Sequence, residues 1–419
     1  MARTSLNRAD VDACLAPLAD VDRVTADRFP GGSAVRQPVH TCYVPADGVE
    51  ADTVRDWGER ALAALDEHAA TPERMAEVLD LPPERARAIH PRVRAKLAES
   101  PIEDLRIDFE DGYGTPEDAV EDADAERTAG VFAGWLREGT APEHVGLRVK
   151  SFDSPSLRER SVRTLDVFLT ELLAAHGELP PGFLLTFPKV VDVRQVEAFV
   201  GILARTERAL GLPERSLRFE IQVETTRSIV DTEGRLALPR FLGAGDDRIT
   251  GLHFGTYDYT AGCGLTAAHQ HLAHRACDFA RHVMQVCTAG TGVFLSDGST
   301  NVLPVGDAEQ VRHGWRTHYG LVRRSLEHGF YQGWDLHPAQ LVTRYAAVFA
   351  EFRDSADSAA DRLAAYASAS GGAVLDEPAT ARALAASFVR ALDNGATDAE
   401  EVAAMTGLSE ARLRELGRV

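Results

Sequence analysis

Residues 218–254 read RFEIQVETTRSIVDTEGRLALPRFLGAGDDRITGLHF. They hold a strand-like run at 218–223 (RFEIQV), a helical stretch near 226–242 and a second strand-like run at 250–254 (TGLHF). Short runs rich in Val, Ile, Leu and Phe, separated by longer amphipathic stretches, read as buried parallel strands joined by helices. The same unit repeats outward in both directions. Strands are expected at 39–43, 105–109 (LRIDF), 145–149 (VGLRV) and 183–187 (FLLTF) before it, and at 292–296 (GVFLS) and 331–335 (YQGWD) after it. Helical patterns lie near 116–138, 156–176, 192–210, 266–288, 307–328 and 338–353. In 192–210, Val193, Val196, Phe199, Val200 and Leu203 fall on one face. Eight strands, each followed by a helix, predict a (β/α)8 TIM barrel; an open doubly wound sheet is the alternative.

Two regions break the repeat. Residues 50–104 are too long for one connection and read as three inserted helices, 52–68, 72–80 and 83–98. Residues 354–419 read as an all-helical extension of the barrel domain 1–353, a lid or an oligomerisation element, broken at Gly371-Gly372. Within it, 397–416 has a helix-turn-helix outline around Gly407. No basic recognition helix accompanies it, so it is expected to pack on its own barrel and not on DNA.

Composition narrows the function classes. The 64 Asp and Glu against 45 Lys and Arg give a net charge of −19. Such a surface repels phosphate backbones, and no basic patch offsets it, so no nucleic-acid partner is expected. No apolar run nears the ~20 residues of a membrane span, and Met1–Asp20 lacks the apolar core of a signal peptide. Five cysteines, odd in number and without a CxxC pair, read as reduced thiols of a cytoplasmic protein.

Barrel chemistry sits at the C-terminal ends of the strands. Those ends are rich here: Asp108-Phe109-Glu110-Asp111, Arg148 with Lys150, Pro188-Lys189, Gln222-Val223-Glu224, Tyr257-Asp258, Ser296-Asp297, and Asp335 with His337. Carboxylates facing one cavity repel each other unless a cation sits among them. An all-oxygen set without cysteine or paired histidines suits a hard ion, Mg2+ or Mn2+. Arg148 beside it could fork onto a substrate carboxylate. A metal with an arginine and no activated Ser or Cys favours enolate chemistry. Bland readings stand beside these. Asp111 and Asp297 could cap helices, Arg148 could be a structural ion-pair partner, and Lys189 a solvated loop charge.

Seven stretches, in order, resemble the citrate lyase β-subunit-like branch of the HpcH/HpaI aldolase family, within the phosphoenolpyruvate/pyruvate barrels. They are TCYVPAD (41–47), LRIDFEDGYG (105–114), GLRVK (146–150), LTFPKV (185–190), FEIQVETTRSIV (219–230), LHFGTYDYTAGCG (252–264) and GWDLHPAQL (333–341). The resemblance implies a Mg2+-dependent carbon–carbon lyase or aldolase acting on a hydroxy acid or its CoA thioester. It puts Glu224 and Asp258 at the metal-ligand positions, Arg148 at the substrate carboxylate, and Glu110 and Asp111 beside metal-bound water. GAVLDEP (372–378) is similar to a segment from which an aspartate reaches a neighbour's site, making Asp376 an acid/base candidate supplied in trans; a helix N-cap is its bland reading. A homo-oligomer, trimer or hexamer, is expected.

The chain departs from the family where Lys150 replaces an asparagine, Tyr259 a leucine, and Trp334 a lysine used toward CoA. Its substrate is therefore left open as a small carboxylate, with or without CoA. The rival readings are phosphoenolpyruvate or pyruvate chemistry on the same barrel, with Lys150, Lys189 and Arg148 serving phosphate, and a non-catalytic ligand-binding barrel.

Overall fold

The structure, a computed structural model, describes residues 5–31, 35–367 and 377–417. Eight parallel strands form one sheet: β1 His40–Pro45, β2 Asp104–Asp108, β3 His144–Arg148, β4 Phe183–Phe187, β5 Arg218–Val223, β6 Ile249–Phe254, β7 Phe294–Ser296 and β8 Gly333–Asp335. Their order is β7-β6-β5-β4-β3-β2-β1-β8. A parallel bridge between Ser296 and Gln332, with Asp297 N–H donating to Gln332 O at 2.8 Å, joins the last pair and closes the ring. The expected (β/α)8 barrel is what the chain forms.

Side chains alternate along each strand. The outward set (Leu105, Ile107, Leu147, Leu185, Phe219, Ile221 and Leu252) is fully buried beneath the helices. The inward set is polar, where barrels of this type commonly carry layers of branched apolar residues. Thr41 donates to Asp104 (2.8 Å), and Arg106 pairs with Asp104 and with Glu220 (3.1 Å). Thr186 and His253 also meet Glu220, at 2.6 Å each, and Trp334 Nε1 donates to His253 Nδ1 at 3.2 Å. Every member has a partner, which a buried polar network requires if it is not to destabilise the fold.

The inserted helices are Thr53–His68, Pro72–Leu79 and Pro83–Glu99. The helix Pro338–Ala367 runs unbroken through position 353, where the sequence places a boundary. Helices Ala399–Thr406 and Glu410–Gly417 turn at Gly407 and dock on the chain itself: Glu401 pairs with Arg353 and with Arg92 (3.0 Å), and Leu413 is fully buried. The Gly371-Gly372 break lies outside the described residues.

Two expected helices are corrected. The stretch 226–242 is not one helix but two, Thr226–Ile229 and Leu238–Ala244. Asp231 accepts from the N–H groups of Glu233 and Arg235, turning the chain so that Val230 and Leu236 pair antiparallel. The stretch 266–288 keeps only Arg275–Thr288 as an α-helix, after a short 3-10 turn at Ala267–His269. Three helices were not expected: the short Thr256–Gly262 after β6, and Arg8–Leu15 and Leu18–Arg28, the last two without a buried residue. Among the described residues no helix is long and apolar enough to cross a membrane, and the five cysteines are free.

Candidate active site at the barrel mouth

Asp108, the last residue of β2, organises one side of the mouth. Its carboxylate accepts from the N–H groups of Glu110 (2.9 Å) and Gly112 (3.0 Å), turning the chain sharply after the strand. A Cβ on Gly112 would lie 2.6 Å from Asp108 Oδ2, so only glycine fits. The same carboxylate takes both nitrogens of one Arg148 edge, Nε at 2.7 Å and Nη2 at 2.6 Å. The fork expected for a substrate is thus closed on Asp108. The other nitrogen, Nη1, faces Gln222 Oε1 at 3.3 Å and Glu110 Oε2 at 3.5 Å. The guanidinium lies 4.8 Å from the Tyr43 ring and 5.7 Å from Trp334, a cation–π seat that fixes its plane.

Glu224 follows β5 and is buried. Its Oε1 accepts from the Lys189 N–H at 2.8 Å, and its Oε2 from the Gln222 side chain. Gly255, at the end of β6, must lack a side chain here, because a Cβ would lie 2.4 Å from Glu224 Cβ. Asp258 stands in the first turn of Thr256–Gly262 with its side chain 46% exposed.

Lys189 joins these pieces. Its ammonium pairs with Glu110, with both oxygens of Asp111 (2.7 Å) and with Asp258 (3.5 Å). Its backbone is left-handed, φ 53°, which is uncommon and strained for a residue other than glycine. The structure therefore brings Glu110, Asp111, Glu224 and Asp258 around one cation, with Arg148 beside them. Asp376 lies outside the described residues.

Charge follows the geometry. Burial, reinforced by Glu110 and Asp258, pushes the Glu224 carboxyl well above the ordinary range against the pull of Lys189. Burial also raises Glu110, although Arg148 and Lys189 oppose it. Burial acts the same way on Asp111, but the hydrogen bond and charge of Lys189, with Arg148 and Glu110, together outweigh it and Asp111 is lowered. Lys189 is desolvated, yet Glu110 and Glu224 hold it firmly as the ammonium.

Carboxylate oxygens alone make up the donor set, as a hard divalent cation requires. Among the described residues no three His, Cys, Asp or Glu side chains converge into a ready ligand cluster. Mg2+ needs fewer, since it commonly takes one or two carboxylates and keeps water or substrate oxygens elsewhere. Glu224 and Asp258 fit that requirement, and four acids against one ammonium leave negative charge for a divalent ion.

Three strand-end residues read from sequence lie elsewhere. Asp335 points outward beneath the helices, between His40 Nδ1 (3.1 Å), His318 Nε2 (3.0 Å) and Arg344 (3.0 Å), because its neighbour Trp334 takes the inward position. Asp297 is buried against Arg281 (2.7 Å) and Ser325 (2.6 Å). Lys150 is turned away from the mouth. Its ammonium donates to Phe109 O (2.8 Å) and Gly114 O (2.6 Å) and forms an ion pair with Glu121 (3.1 Å). Sequence reasoning missed the roles of Asp108, Gln222, Tyr43 and Trp334; the i, i+2 spacing Gln222–Glu224 was the available signal. A cavity of ≈ 140 Å³ at the other end of the barrel, lined by Val39, Tyr331 and Arg390, includes none of these residues.

The family described as "Domain of unknown function (DUF6986)" matches residues 18–419. The L-malyl-CoA/beta-methylmalyl-CoA lyase of Haloarcula marismortui is 37% identical over 115 residues, 27% of this chain and 30% of that protein's length. Among solved structures, Haloferax volcanii malate synthase in a lead(II) complex has 16% identity and a TM-score of 0.49, covering 91% of this chain and 99% of that one. Its magnesium/glyoxylate complex has 15% identity and a TM-score of 0.48, covering 90% and 97%.

Proposed function

The chain belongs to the DUF6986 family, and from the chemistry of its barrel mouth we propose that it is a Mg2+-dependent carbon–carbon lyase acting on a hydroxy acid or its CoA thioester. One observation carries the reading: buried Glu224 and half-exposed Asp258 stand among four carboxylates whose only close ammonium, among the described residues, is Lys189. Glu224 and Asp258 would hold the ion. A bound Mg2+ supplies Lewis-acid polarisation of a substrate carbonyl.

The chain's own residues supply the rest. Arg148, locked by Asp108 and seated on Tyr43, offers Nη1 to a substrate carboxylate. Glu110 and Asp111 would accept hydrogen bonds from water beside such an ion. Asp376 supplies the acid/base function from a neighbouring copy. Trp334, which stands where the family's CoA-contacting lysine is expected, packs against Tyr43 with ring centroids 4.5 Å apart and planes tilted by 35°. The resemblance to the HpcH/HpaI aldolases and the partial likeness to a malyl-CoA/methylmalyl-CoA lyase support this class. The rival phosphate chemistry loses one of its three cations, since Lys150 is fully engaged.

The test is Mn2+ titration of wild type, Glu224→Gln and Asp258→Asn, together with cleavage of L-malyl-CoA and β-methylmalyl-CoA. Loss of Mn2+ binding in both folded variants, with 2-oxo acid release by wild type only, supports the reading. Full Mn2+ binding by both variants overturns it.

A further inference from the structure

Lys189 touches every acid of the candidate site. Its N–H donates to Glu224 at 2.8 Å, and its ammonium reaches Glu110, Asp111 and Asp258. Among the described residues, neither Asp111 nor Asp258 pairs with any other cation, and Glu224 forms no other ion pair or backbone contact; Arg148, the other cation here, is already neutralised by Asp108. Lys189 thus contacts all four acids. Two features suit it to leave. Its ammonium hangs on a flexible four-carbon stem. Asp111, 58% exposed at the rim, gives that stem a second place to rest.

We propose that Lys189 is the resident counter-ion of this site: it holds the four acids together in the absence of a divalent cation, competes with that cation, and withdraws to Asp111 when the cation binds. The proposal rests on the metal-site reading above. A lysine in this role gives two effects of opposite sign. Removing its charge leaves four carboxylates repelling one another, so the metal-free protein loses stability. It also removes a like charge from beside the incoming ion, so the ion binds more tightly. A lysine with a merely structural role gives the first effect and not the second.

The experiment uses the full chain, stripped of metal with a chelator. Mn2+ binding is read from the electron-paramagnetic signal of free Mn2+, and thermal unfolding is followed with and without Mn2+. Wild type is compared with Lys189→Met, which keeps the stem and the backbone, with Lys189→Gln as a second neutral variant and Glu224→Gln as the metal-site control. The expected result is a metal-free melting temperature below wild type for both neutral variants and Mn2+ binding about tenfold tighter, the scale of removing one like charge near a partly exposed ion. Binding by the neutral variants alone, where wild type fails to bind, also supports the proposal. Equal or weaker Mn2+ binding by both neutral variants, while wild type binds and Glu224→Gln does not, overturns the counter-ion role and leaves the metal site standing. If no chain binds Mn2+, both fall.

Discussion

Glu220 and Glu224 stand four residues apart on the same face of the chain through β5, yet their surroundings push their carboxyls in opposite directions. Burial opposes ionisation of both. At Glu220, Arg106 and His253 outweigh it and hold the group down at about 2. At Glu224, like charges from Glu110 and Asp258 add to burial and the group rises. Unfolded glutamate titrates near ~4.3. The Glu220 contribution to stability is therefore complete above that pH and is lost as pH falls toward about 2. The Glu224 contribution has the reverse sign: it is complete below ~4.3 and is lost as pH rises through the raised folded value. Urea unfolding of the metal-free protein should show Glu220→Gln destabilised at pH 7 by about 3–5 kcal/mol, the cost of breaking a buried pair, with the gap narrowing below pH ~4.3. Glu224→Gln should be more stable than wild type at pH 7.

Gly255→Ala places a methyl group 2.4 Å from Glu224 Cβ and 2.8 Å from its Oε2. Glu224 must then move. Overpacking of this kind costs about 1–3 kcal/mol, so the fold should survive. The expected outcome is a modest fall in melting temperature with loss of most Mn2+ affinity, measured on the same sample.

Arg148→Lys keeps a positive charge but cannot reproduce the two-nitrogen pairing with Asp108 or the planar seat on Tyr43. Loss of a charged hydrogen bond is worth about 1.5–3 kcal/mol, so kcat/KM should fall roughly ten- to a hundredfold. Mn2+ affinity should change little, because Arg148 contacts neither Glu224 nor Asp258.

Lys150→Met separates structural from phosphate-binding lysines. Lys150 makes three buried contacts, hydrogen bonds to Phe109 O and Gly114 O and an ion pair with Glu121. Removing them should cost about 3 kcal/mol of stability in urea while Mn2+ affinity stays near wild type. Unchanged stability would contradict this assignment.

The barrel was legible because its signal repeats: eight apolar runs and seven helical stretches constrain one another, so a misplaced boundary at 331–335 does no harm. The mouth was legible by position, since strand ends gather wherever the strands do. Side-chain direction was not. Asp335 ends a strand of three residues, too short for alternation to show that it faces outward. Arg148 reads as a free fork because Asp108, its partner across the β2–β3 ladder, is forty residues away in sequence. Lys189 gave no sign of its role, because left-handed backbone is usually marked by glycine or asparagine and here falls on a lysine. The helix expected at 226–242 failed because Asp231 draws the local N–H groups to its own side chain.

Seven of the barrel's eight seams are strand ladders, and the eighth, between β7 and β8, is a single bridge at Ser296 and Gln332. Mechanically the ring is a slit cylinder. The ladders from β2 to β6 carry the acids, and the slit lies beyond β7. Opening the slit would break that one bridge and leave the β5–β6 ladder, after which Glu224 and Asp258 follow, intact. Under the proposed function, tolerance for bulk in the substrate is mechanically separable from the grip on the ion.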